Sequence, residues 1–552
     1  MTKTIAEELA KKQQSISVSE FFTKNRHLLG FDNPRKALLT TIKEGVDNSL
    51  DACQEAKVLP TIKVKIKQLQ EERFCVSIED NGPGIVKAQI PNIFAKLLYG
   101  SKFHTMIQSR GQQGIGISAS VLYSQLTTGK PAKITSKIGK NHPAHYYELK
   151  IDTKNNEPEI VIDKETSFDQ DHGTKVELEM EAIYQKGARG VDEYLKQTSI
   201  ANPHAEIIYV DPEGNKVTFP RASEKLPVEP KEIKPHPHGI ELGIFISMLQ
   251  NTNSKTLTSF FTNDFIRVSS VTAKRICGEA GIKTNESPKS LDRDTAEKLY
   301  NIVQKTKLIA PPTNCLSPIG TEALQKSLEK EVPAEFFTSV TRPASVYRGN
   351  PFQVEVAAAY GGQLNSEEQI KLLRFANRVP LQYQQSACAI TKSVIDTNWR
   401  NYGLSQSRSA LPQGPIILAV HMASVWVPFT SESKEAIAHY PEIIKEIKLA
   451  VQEVGRKIAS HIRRTVRVRE QRERASLFEK YIPEIASSLS NLTSSKKTDV
   501  QEKLNKILKK SLKDILRELP EEDKSDKIKE EGKNKHVKKE KQSTLGSRKS
   551  RK

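Results

Sequence analysis

A narrow stripe of acidic and amide side chains runs along a helix that the sequence predicts over residues 34–55. Asn33 suits the N-cap position and Pro34 the first helical position, and together they mark where this helix begins. At ~100° per residue the stripe contains Glu44, Asn48, Asp51 and Glu55. A solvated polar face is the ordinary explanation of such a stripe. Because no Lys or Arg stands among the four, the stripe also suggests a site for a cation.

A second chemically capable group lies at the end of a predicted strand, residues 74–80. Strand alternation places Asp80 on the same side as three apolar residues, so its carboxylate should face the interior and require a hydrogen-bond donor. Asp80 and Asn81 could simply shape a turn, since D-N-G and P-G are common turn sequences. Alternatively, Asp80 accepts a hydrogen bond from a ligand, and Gly82 and Gly84 let the backbone approach that ligand closely.

A glycine-rich segment opens an apolar helical pattern. The segment reads Gly111-Gln112-Gln113-Gly114-Ile115-Gly116-Ile117-Ser118. Its main-chain amides would lie at a helix N-terminus, where the helix dipole favours phosphate. The spacing alone is weak evidence, because no Lys follows Gly116 and the segment follows a loop rather than a strand. Ser101 and Lys102 precede it, and Thr174, which opens a later strand, could reach a phosphate or merely complete a turn.

The charge balance favours a polyanionic partner. The 552 residues include 85 Lys and Arg against 66 Asp and Glu, a net charge of +19. Such an excess attracts polyanions such as nucleic acid, although it carries no information about the fold.

Three further features concern the compartment. The five cysteines form no C-x-x-C pair, so we expect neither a disulfide framework nor a cysteine zinc site, and we expect a reducing environment. The longest apolar stretch, residues 415–429, is shorter than the ~20 residues of a spanning helix. Acidic residues interrupt the N-terminal segment, so no export signal is expected and the protein should stay in the cell.

The elements that would position these groups fall into several regions. Helical and strand patterns alternate from residue 33 to about 180, with expected strands at Thr61–Leu69, Arg73–Asp80, His145–Asp152 and Thr174–Met180. A proline-rich segment marks a boundary near residue 229. Short helical patterns over residues 239–305 predict an all-helical module. Strands then return at Gln353–Tyr360, Ile370–Leu381 and Pro415–Phe429, as is typical of a second α/β domain.

The C-terminal region is predicted to be one long helix followed by a tail. The helix should run from Glu442 to about Tyr481 and carries these basic residues: Arg456, Lys457, Arg463, Arg464, Arg467, Arg469, Arg472 and Arg474. Beyond Pro520 the chain is rich in Lys, Glu and Ser and should be solvated. Its basic end could contact phosphates or serve solubility alone.

The chemically capable residues follow the order of the four boxes of the GHKL ATPases, which are shared by gyrase, heat-shock chaperones, histidine kinases and mismatch-repair proteins. The boxes are Glu44-x-x-x-Asn48-x-x-Asp51, Asp80-x-Gly82-x-Gly84, Gly111-x-x-Gly114-x-Gly116 and Gly173-Thr174. Three flanking stretches narrow the resemblance to one family among the GHKL ATPases. They are FFTKNRHLLGFDNPRKALLTTIKEGVDNSLDAC, RGQQGIGISASVLYSQLTTGKP and LLRFANRVPLQY. Over roughly residues 15–470 the chain resembles the B-subunit family of DNA topoisomerase VI, a type IIB topoisomerase.

This resemblance implies an α+β multidomain architecture. A GHKL (Bergerat) ATPase α/β sandwich would occupy residues 1–228, with the segment Ser15–Phe31 as a dimerisation strap. A helix-two-turns-helix module would occupy residues 229–307, and a transducer domain with a ribosomal-protein-type βαβ fold residues 308–470. A C-terminal helical extension and basic disordered tail would occupy residues 471–552.

The resemblance also implies roles for the site residues. Glu44 would be the general base that deprotonates the attacking water, and Asn48 would hold Mg²⁺ against the phosphates of ATP. A Mg²⁺ ion with few protein ligands and several phosphate or water oxygens is the usual arrangement. Asp80 would accept from the adenine amino group. Around it, a group of cofactor-binding residues would surround ATP and form the phosphate lid: Gly82, Gly84, Ser101, Lys102, Gly111, Gln112, Gln113, Gly114, Ile115, Gly116, Ile117, Ser118 and Thr174.

Lys434 would come from the transducer domain and contact the γ-phosphate. We expect it in the first turn of a helix that follows the strand Pro415–Phe429. A cation there opposes the helix dipole by ~0.3–1 kcal/mol, so an anionic partner would account for it. The alternative is an ordinary exposed lysine.

The implied function is that of the ATP-hydrolysing subunit of a type II topoisomerase, which relaxes supercoiled DNA by double-strand passage. Two copies would dimerise on ATP binding, and the basic helix and tail would hold duplex DNA without sequence preference. A partner A subunit would supply the tyrosine that cuts DNA, in an A2B2 heterotetramer in the cytoplasm, associated with the nucleoid. The alternative is an ATP-gated clamp or chaperone of the GHKL family without a topoisomerase partner.

Overall fold

The protein is described by a computed structural model that covers residue 13 and residues 15–101, 105–111, 114–187, 189–431, 433–493 and 495–517. Its contacts divide the chain into two compact units, Met1–Ile458 and Ala459–Lys552. The boundary falls inside the long C-terminal helix. Lys102, Gln112 and Gln113 lie outside the described residues, as does the predicted tail beyond Pro520.

Eight strands of the N-terminal region form one sheet. In chain order they are β1 Thr61–Gln70, β2 Arg73–Asp80, β3 Ala132–Lys137, β4 Ala144–Asp152, β5 Glu157–Thr166, β6 Gly173–Glu181, β7 Glu206–Val210 and β8 Lys216–Phe219. Their order across the sheet is β5-β4-β3-β6-β2-β1-β7-β8. Strands β1 and β7 are parallel, and the other neighbours are antiparallel. The four predicted strands are confirmed within one or two residues at either end.

In the described part of the chain, five helices accompany this sheet: α1 Val18–Lys24, α2 Pro34–Glu55, α3 Ile90–Ala95, α4 Gly116–Thr128 and α5 Val191–Ala201. Helix α2 has the predicted bounds, because Oδ1 of Asn33 accepts from the main-chain N–H of Lys36 at 2.9 Å. Its apolar face is fully buried against the sheet. At Gly45 the approach is so close that a Cβ would lie 2.3 Å from Cδ1 of Ile78, which fixes α2 over the end of β2.

The helical module contains α6 Leu242–Asn251, α7 Leu257–Asp264, α8 Ser270–Ala280 and α9 Arg293–Lys305. All four lie within residues 239–305, where the sequence predicts short helices. Phe245, Phe260, Phe261 and Phe265 form an aromatic cluster at the centre of the module, with ring centroids 5.3–6.3 Å apart. The module therefore has its own core, as a separate folding unit requires.

A second sheet follows. Its elements are α10 Thr321–Glu331, β9 Phe336–Thr341, β10 Ser345–Tyr347, β11 Asn350–Tyr360, β12 Lys371–Ala376, β13 Val379–Pro380, α11 Ala389–Ile395 and β14 Ile416–Ser424. The strand order is β10-β11-β14-β12-β13, with β9 also paired to β11. Strands β12 and β14 are parallel and are connected through α11, which makes a βαβ unit. Strands and helices therefore both occur in this region, as the sequence predicts.

Two predicted strands of this sheet had the wrong length. The strand expected over Ile370–Leu381 is broken into β12 and β13, because Asn377 and Arg378 have φ angles of 46° and 68° and form a tight turn. The strand expected over Pro415–Phe429 ends at Ser424, where the chain leaves the sheet.

Two helices complete the described chain, α12 Pro441–Thr493 and α13 Lys497–Arg517. Helix α12 extends beyond its predicted end at Tyr481 and contains Pro483. Ile482 and Ala486 on either side of this proline are buried, so packing outweighs the hydrogen bond that proline cannot donate. In the portion of the chain that the structure describes, no helix is long and apolar enough to cross a membrane.

Candidate active site

A cavity of about 650 Å³ opens between α2, the end of β2, the N-terminus of α4 and a loop of the second sheet. Many of the predicted site residues line it: Glu44, Asn48, Asp80, Gly84, Ser101, Gly111, Gly114, Ile115, Gly116, Ile117, Thr174 and Lys434. Gly82 and Ser118 do not line it. Ser118 is buried and its Oγ donates to the carbonyl of Ile115 at 3.0 Å, so this hydroxyl completes the first turn of α4.

Asp80 is buried and hydrogen-bonded, as strand alternation predicts. Its Oδ1 accepts from the main-chain N–H groups of Gly82 at 2.9 Å and Thr174 at 3.2 Å, and its Oδ2 accepts from Oγ of Ser49 at 2.8 Å. Burial raises the pKa of Asp80 despite these bonds. A carboxylate offers about four acceptor positions, so one remains for a donor in the cavity.

The glycines beside Asp80 serve close packing of the backbone. Gly84 has a φ of 73°, and a Cβ there would lie 2.0 Å from the carbonyl oxygen of Lys137. At Gly173, φ is 143° and a Cβ would lie 2.2 Å from the carbonyl oxygen of Asp80. Both positions therefore require glycine, so these boxes fix the geometry around the carboxylate.

The carboxylate of Glu44 lies at the N-terminus of α4. A Cβ on Gly116, the first residue of that helix, would lie 1.8 Å from Oε2 of Glu44, so a side chain there would displace the carboxylate from this position. The helix N-terminus is where an anion is stabilised. One turn further along α2, Oδ1 of Asn48 is 3.8 Å from the position that a Cβ of Gly111 would take. Glu44 thus lies against Gly116, and Asn48 lies close to Gly111, in the wall of the cavity.

Asp51, the third member of the polar stripe, forms an ion pair with a basic residue of the same chain. Oδ1 of Asp51 accepts from Nη1 of Arg110 at 2.7 Å, and Arg110 is only 5% exposed. Sequence reasoning missed this pair, because the two residues are 59 positions apart. The one available signal was that Arg110 directly precedes the glycine-rich segment.

Lys434 reaches the cavity but not from a helix. Its Nζ donates to the carbonyl of Arg110 at 2.9 Å, and the residue is 8% exposed. The prediction of a helical first turn was wrong: Lys434 has a φ of 52° and lies in the loop before α12. A β-bridge between Phe429 and Ile437 folds this loop back on itself. The helix-dipole argument for an anionic partner therefore does not apply, and position alone relates Lys434 to the cavity.

Two charged residues of α2 that sequence reasoning did not single out lie beside this lysine. Nζ of Lys43 donates to the carbonyl of Ser433 at 3.0 Å, and burial lowers its pKa. Asp47 accepts from the hydroxyl of Tyr194 at 3.3 Å, and burial raises its pKa from 3.8 to about 7. Lys43 and Glu44 therefore place charges of opposite sign next to each other in the wall of the cavity, and Asp47 lies behind them.

The pKa of Asp47 predicts a pH dependence of stability. Between the unfolded value of 3.8 and the folded value of about 7, the unfolded chain loses its proton first, so stability falls as the pH rises. Asp47→Asn removes this penalty, which amounts to up to about 4 kcal/mol. Thermal unfolding should show the Tm advantage of the variant widening as the pH rises through this window. An advantage independent of pH would contradict the assignment.

The layered α/β sheet and its cavity define the class of protein: it is a GHKL ATPase. Residues 33–182 match the family described as histidine kinase-, DNA gyrase B- and HSP90-like ATPase, and residues 311–474 match the topoisomerase VI B subunit transducer. The B-subunit of the DNA gyrase from Myxococcus xanthus aligns with a TM-score of 0.41 and 9% identity, covering 81% of this chain and 96% of that chain.

Relatives extend the match over most of the chain. The B subunit of type 2 DNA topoisomerase 6 from Methanococcoides burtonii is 52% identical over 92% of this chain and 82% of the relative. The proteins of the same name from Methanosarcina acetivorans and Archaeoglobus fulgidus are 51% and 47% identical, each over 91% of this chain and over 81% and 83% of the relative. The chain belongs to the family of type 2 DNA topoisomerase 6 B subunits, and it is the ATP-hydrolysing subunit of a type II topoisomerase.

Proposed function

We propose that the cavity binds ATP with Mg²⁺ and hydrolyses it in order to drive the passage of one DNA duplex through another. The observation that carries this proposal is the placement of Glu44 and Asn48 opposite the glycine-rich segment, with Lys434 entering the same cavity from the second sheet. Adenine would lie at Asp80, whose free acceptor position suits the exocyclic amino group. The triphosphate would then extend along α2 towards the N-terminus of α4.

Asn48 is the residue that would hold Mg²⁺. Within the described ranges, no group of three or more His, Cys, Asp or Glu side chains is arranged to hold a metal ion. The single amide oxygen of Asn48 fits Mg²⁺, which retains waters and takes phosphate oxygens as ligands. The bound ion would neutralise negative charge on the phosphates.

Glu44 would act as the general base. Its carboxylate borders the site of the terminal phosphate, where it could take a proton from the attacking water. Lys434 would contact the same phosphate. Its ammonium group has three donors and spends one on the carbonyl of Arg110, so two remain for phosphate oxygens.

ATP binding would favour dimerisation through the strap. Leu29 and Phe31, at the end of the strap, line the cavity, and the Phe31 ring stacks on Tyr123 with centroids 5.0 Å apart. Ile16 and Phe21 of the strap are 46% and 41% exposed, an apolar surface that a second copy could cover. A ligand that orders one end of the strap would thereby order this surface.

The relatives are named as B subunits, and this name supports a partner A subunit. We assign to that partner the tyrosine that cuts DNA, in an A2B2 assembly that acts in the cytoplasm in association with the nucleoid. The direct test is relaxation of supercoiled plasmid by the full chain with and without the A subunit. Relaxation that requires ATP and both subunits is expected. Hydrolysis of ATP without relaxation in the reconstituted complex would favour an ATP-gated clamp or chaperone.

Helix α12 offers a surface for DNA. Within the second unit, Arg463, Arg467 and Arg474 are exposed, and at ~100° per residue they share one face of the helix. A basic row of this kind binds phosphates without reading bases. We infer that this face contacts duplex DNA.

Neutralising this face should reduce the salt dependence of DNA binding. Changing Arg463, Arg467 and Arg474 to glutamine should lower the slope of log K against log salt by about 0.9 for each phosphate that is no longer neutralised. The matched control is Arg469→Gln, since Arg469 lies on the opposite face and contacts Glu473 at 3.0 Å. Fluorescence anisotropy with a labelled duplex at several salt concentrations measures both slopes. Equal slopes for the two variants would contradict this assignment.

A further inference from the structure

Arg110 lies at the junction of the ATP cavity and the second sheet. Its main-chain carbonyl accepts from Nζ of Lys434 at 2.9 Å. Its Nη1 donates to Asp51 at 2.7 Å and to Gln54 at 3.2 Å, both on α2, and its Nη2 donates to Oδ1 of Asn202 at 2.5 Å. One buried residue therefore contacts the helix that carries Glu44, the lysine from the second sheet, and the end of α5.

Asn202 extends these contacts into the second sheet. It is fully buried, and its Nδ2 donates to the carbonyl of Arg378 at 3.2 Å. Arg378 belongs to the turn between β12 and β13. The preceding residue of that turn, Asn377, donates from Nδ2 to the carbonyl of Ser109 at 3.1 Å. Two sets of hydrogen bonds thus attach the turn to residues 109–110. One passes through Asn202, and the other is the direct bond from Asn377.

The same turn is attached to the middle of the second sheet. The main-chain N–H of Arg378 donates to Nε2 of His421 at 3.0 Å, and Nδ1 of His421 is 2.8 Å from Oε2 of Glu355. Glu355 accepts from the main-chain N–H groups of Ile319 at 2.7 Å and Gly320 at 2.8 Å. Because His421 and Glu355 are fully buried, an unmade bond in this network cannot be replaced by water.

We propose that Arg110 is a positioning residue that sets Lys434 against the bound nucleotide, and that Asn202 connects this arrangement to the β12–β13 turn of the transducer. The inference rests on the proposed hydrolysis of ATP in the cavity. Arg110 makes no contact with the reacting atoms; it acts through the carbonyl that Lys434 contacts and through the pair with Asp51. A displacement of Ser109 or Arg110 would be transmitted to the β12–β13 turn along these bonds.

The first test separates binding from turnover. Arg110→Lys keeps a positive charge beside Asp51 but cannot also donate to Asn202 with a second planar nitrogen. We expect kcat for ATP to fall about tenfold and KM to change less than about twofold. The matched control is Arg221→Lys, because Arg221 donates to the carbonyls of Pro60 and His204, just before β1 and β7, and does not line the cavity. A rise in KM at unchanged kcat, or an equal loss in the control, would overturn the proposal.

The second test measures coupling in the complex with the A subunit. Asn202→Asp keeps an oxygen acceptor for Arg110 but removes the donor that bonds to the carbonyl of Arg378, and it alters no residue that lines the cavity. We expect relaxation events per ATP hydrolysed to fall at least fivefold while ATP turnover stays within about twofold, with Tm measured to verify folding. Proportional loss of turnover and relaxation would contradict the coupling role. If the wild-type complex shows no ATP-dependent relaxation, the proposed function itself fails; if the wild type is active and the Arg110 and Asn202 variants behave as wild type, this inference fails alone.

Discussion

Replacing Glu44 with alanine should stop ATP turnover while leaving ATP binding and ATP-dependent dimerisation largely intact. The variant removes the carboxylate at the N-terminus of α4 and leaves Asn48 and Asp80 in place. Loss of a general base costs about 10²–10⁴-fold in rate. Steady-state phosphate release measures turnover, and binding of a fluorescent non-hydrolysable ATP analogue measures affinity.

The matched control for this variant is Glu55→Gln. Glu55 belongs to the same polar stripe of α2 but is exposed and does not line the cavity. Its replacement should leave both turnover and nucleotide affinity unchanged. Undiminished hydrolysis in Glu44→Ala, or equal losses in the two variants, would remove Glu44 from its assigned role.

Asp80→Asn should abolish the preference for adenine. Oδ1 of Asp80 accepts from two main-chain N–H groups, so the amide oxygen of asparagine should take that position and its nitrogen should replace Oδ2. The new NH₂ group can still donate to Oγ of Ser49, which preserves the local fold. It cannot accept from an adenine amino group, so ATP affinity should fall by about 10²-fold, the scale of one lost charge-assisted hydrogen bond.

Competition between ATP and GTP sharpens this test, because guanine carries an oxygen where adenine carries the amino group. The wild type should prefer ATP, and Asp80→Asn should lose most of that preference. Ser49→Ala serves as the control, since it removes one partner of the carboxylate and keeps the carboxylate itself. An unchanged ATP preference in Asp80→Asn would place the base elsewhere in the cavity.

Local signals sufficed where a residue and its structural partner are close in sequence. The start of helix α2 could be predicted because Asn33 and Pro34 are typical of a helix N-terminus. The structure shows the expected bond from the main-chain N–H of Lys36 to Asn33. The burial of Asp80 followed from the two-residue period of β2, which the structure repeats residue by residue. Helical periodicity alone predicts that Glu44 and Asn48 lie on one face of α2.

Local signals failed where distant contacts decide the conformation. Strand β5 carries almost no buried side chain and so lacks the alternation that marks a strand, yet it pairs along β4. The segment around Lys434 has the pattern of a helix start, but the bridge from Phe429 to Ile437 imposes a loop. The contact between Lys434 and Arg110 joins positions 324 residues apart, which no local pattern can indicate.

The domain boundaries at residues 228, 307 and 470 remain predictions. The helical module has a core of its own, but Ile200 and Ala201 of α5 belong to the same hydrophobic cluster as residues of the second sheet. The ATPase and transducer regions therefore share buried surface, as coupling between them requires.

A crystal structure of the full chain with Mg²⁺ and a non-hydrolysable ATP analogue tests the central claim most directly. We predict the adenine amino group within hydrogen-bond distance of Asp80, a metal ion between Asn48 and the phosphates, and Glu44 facing the terminal phosphate. An empty cavity, or a nucleotide bound away from Glu44 and Asn48, would contradict the account.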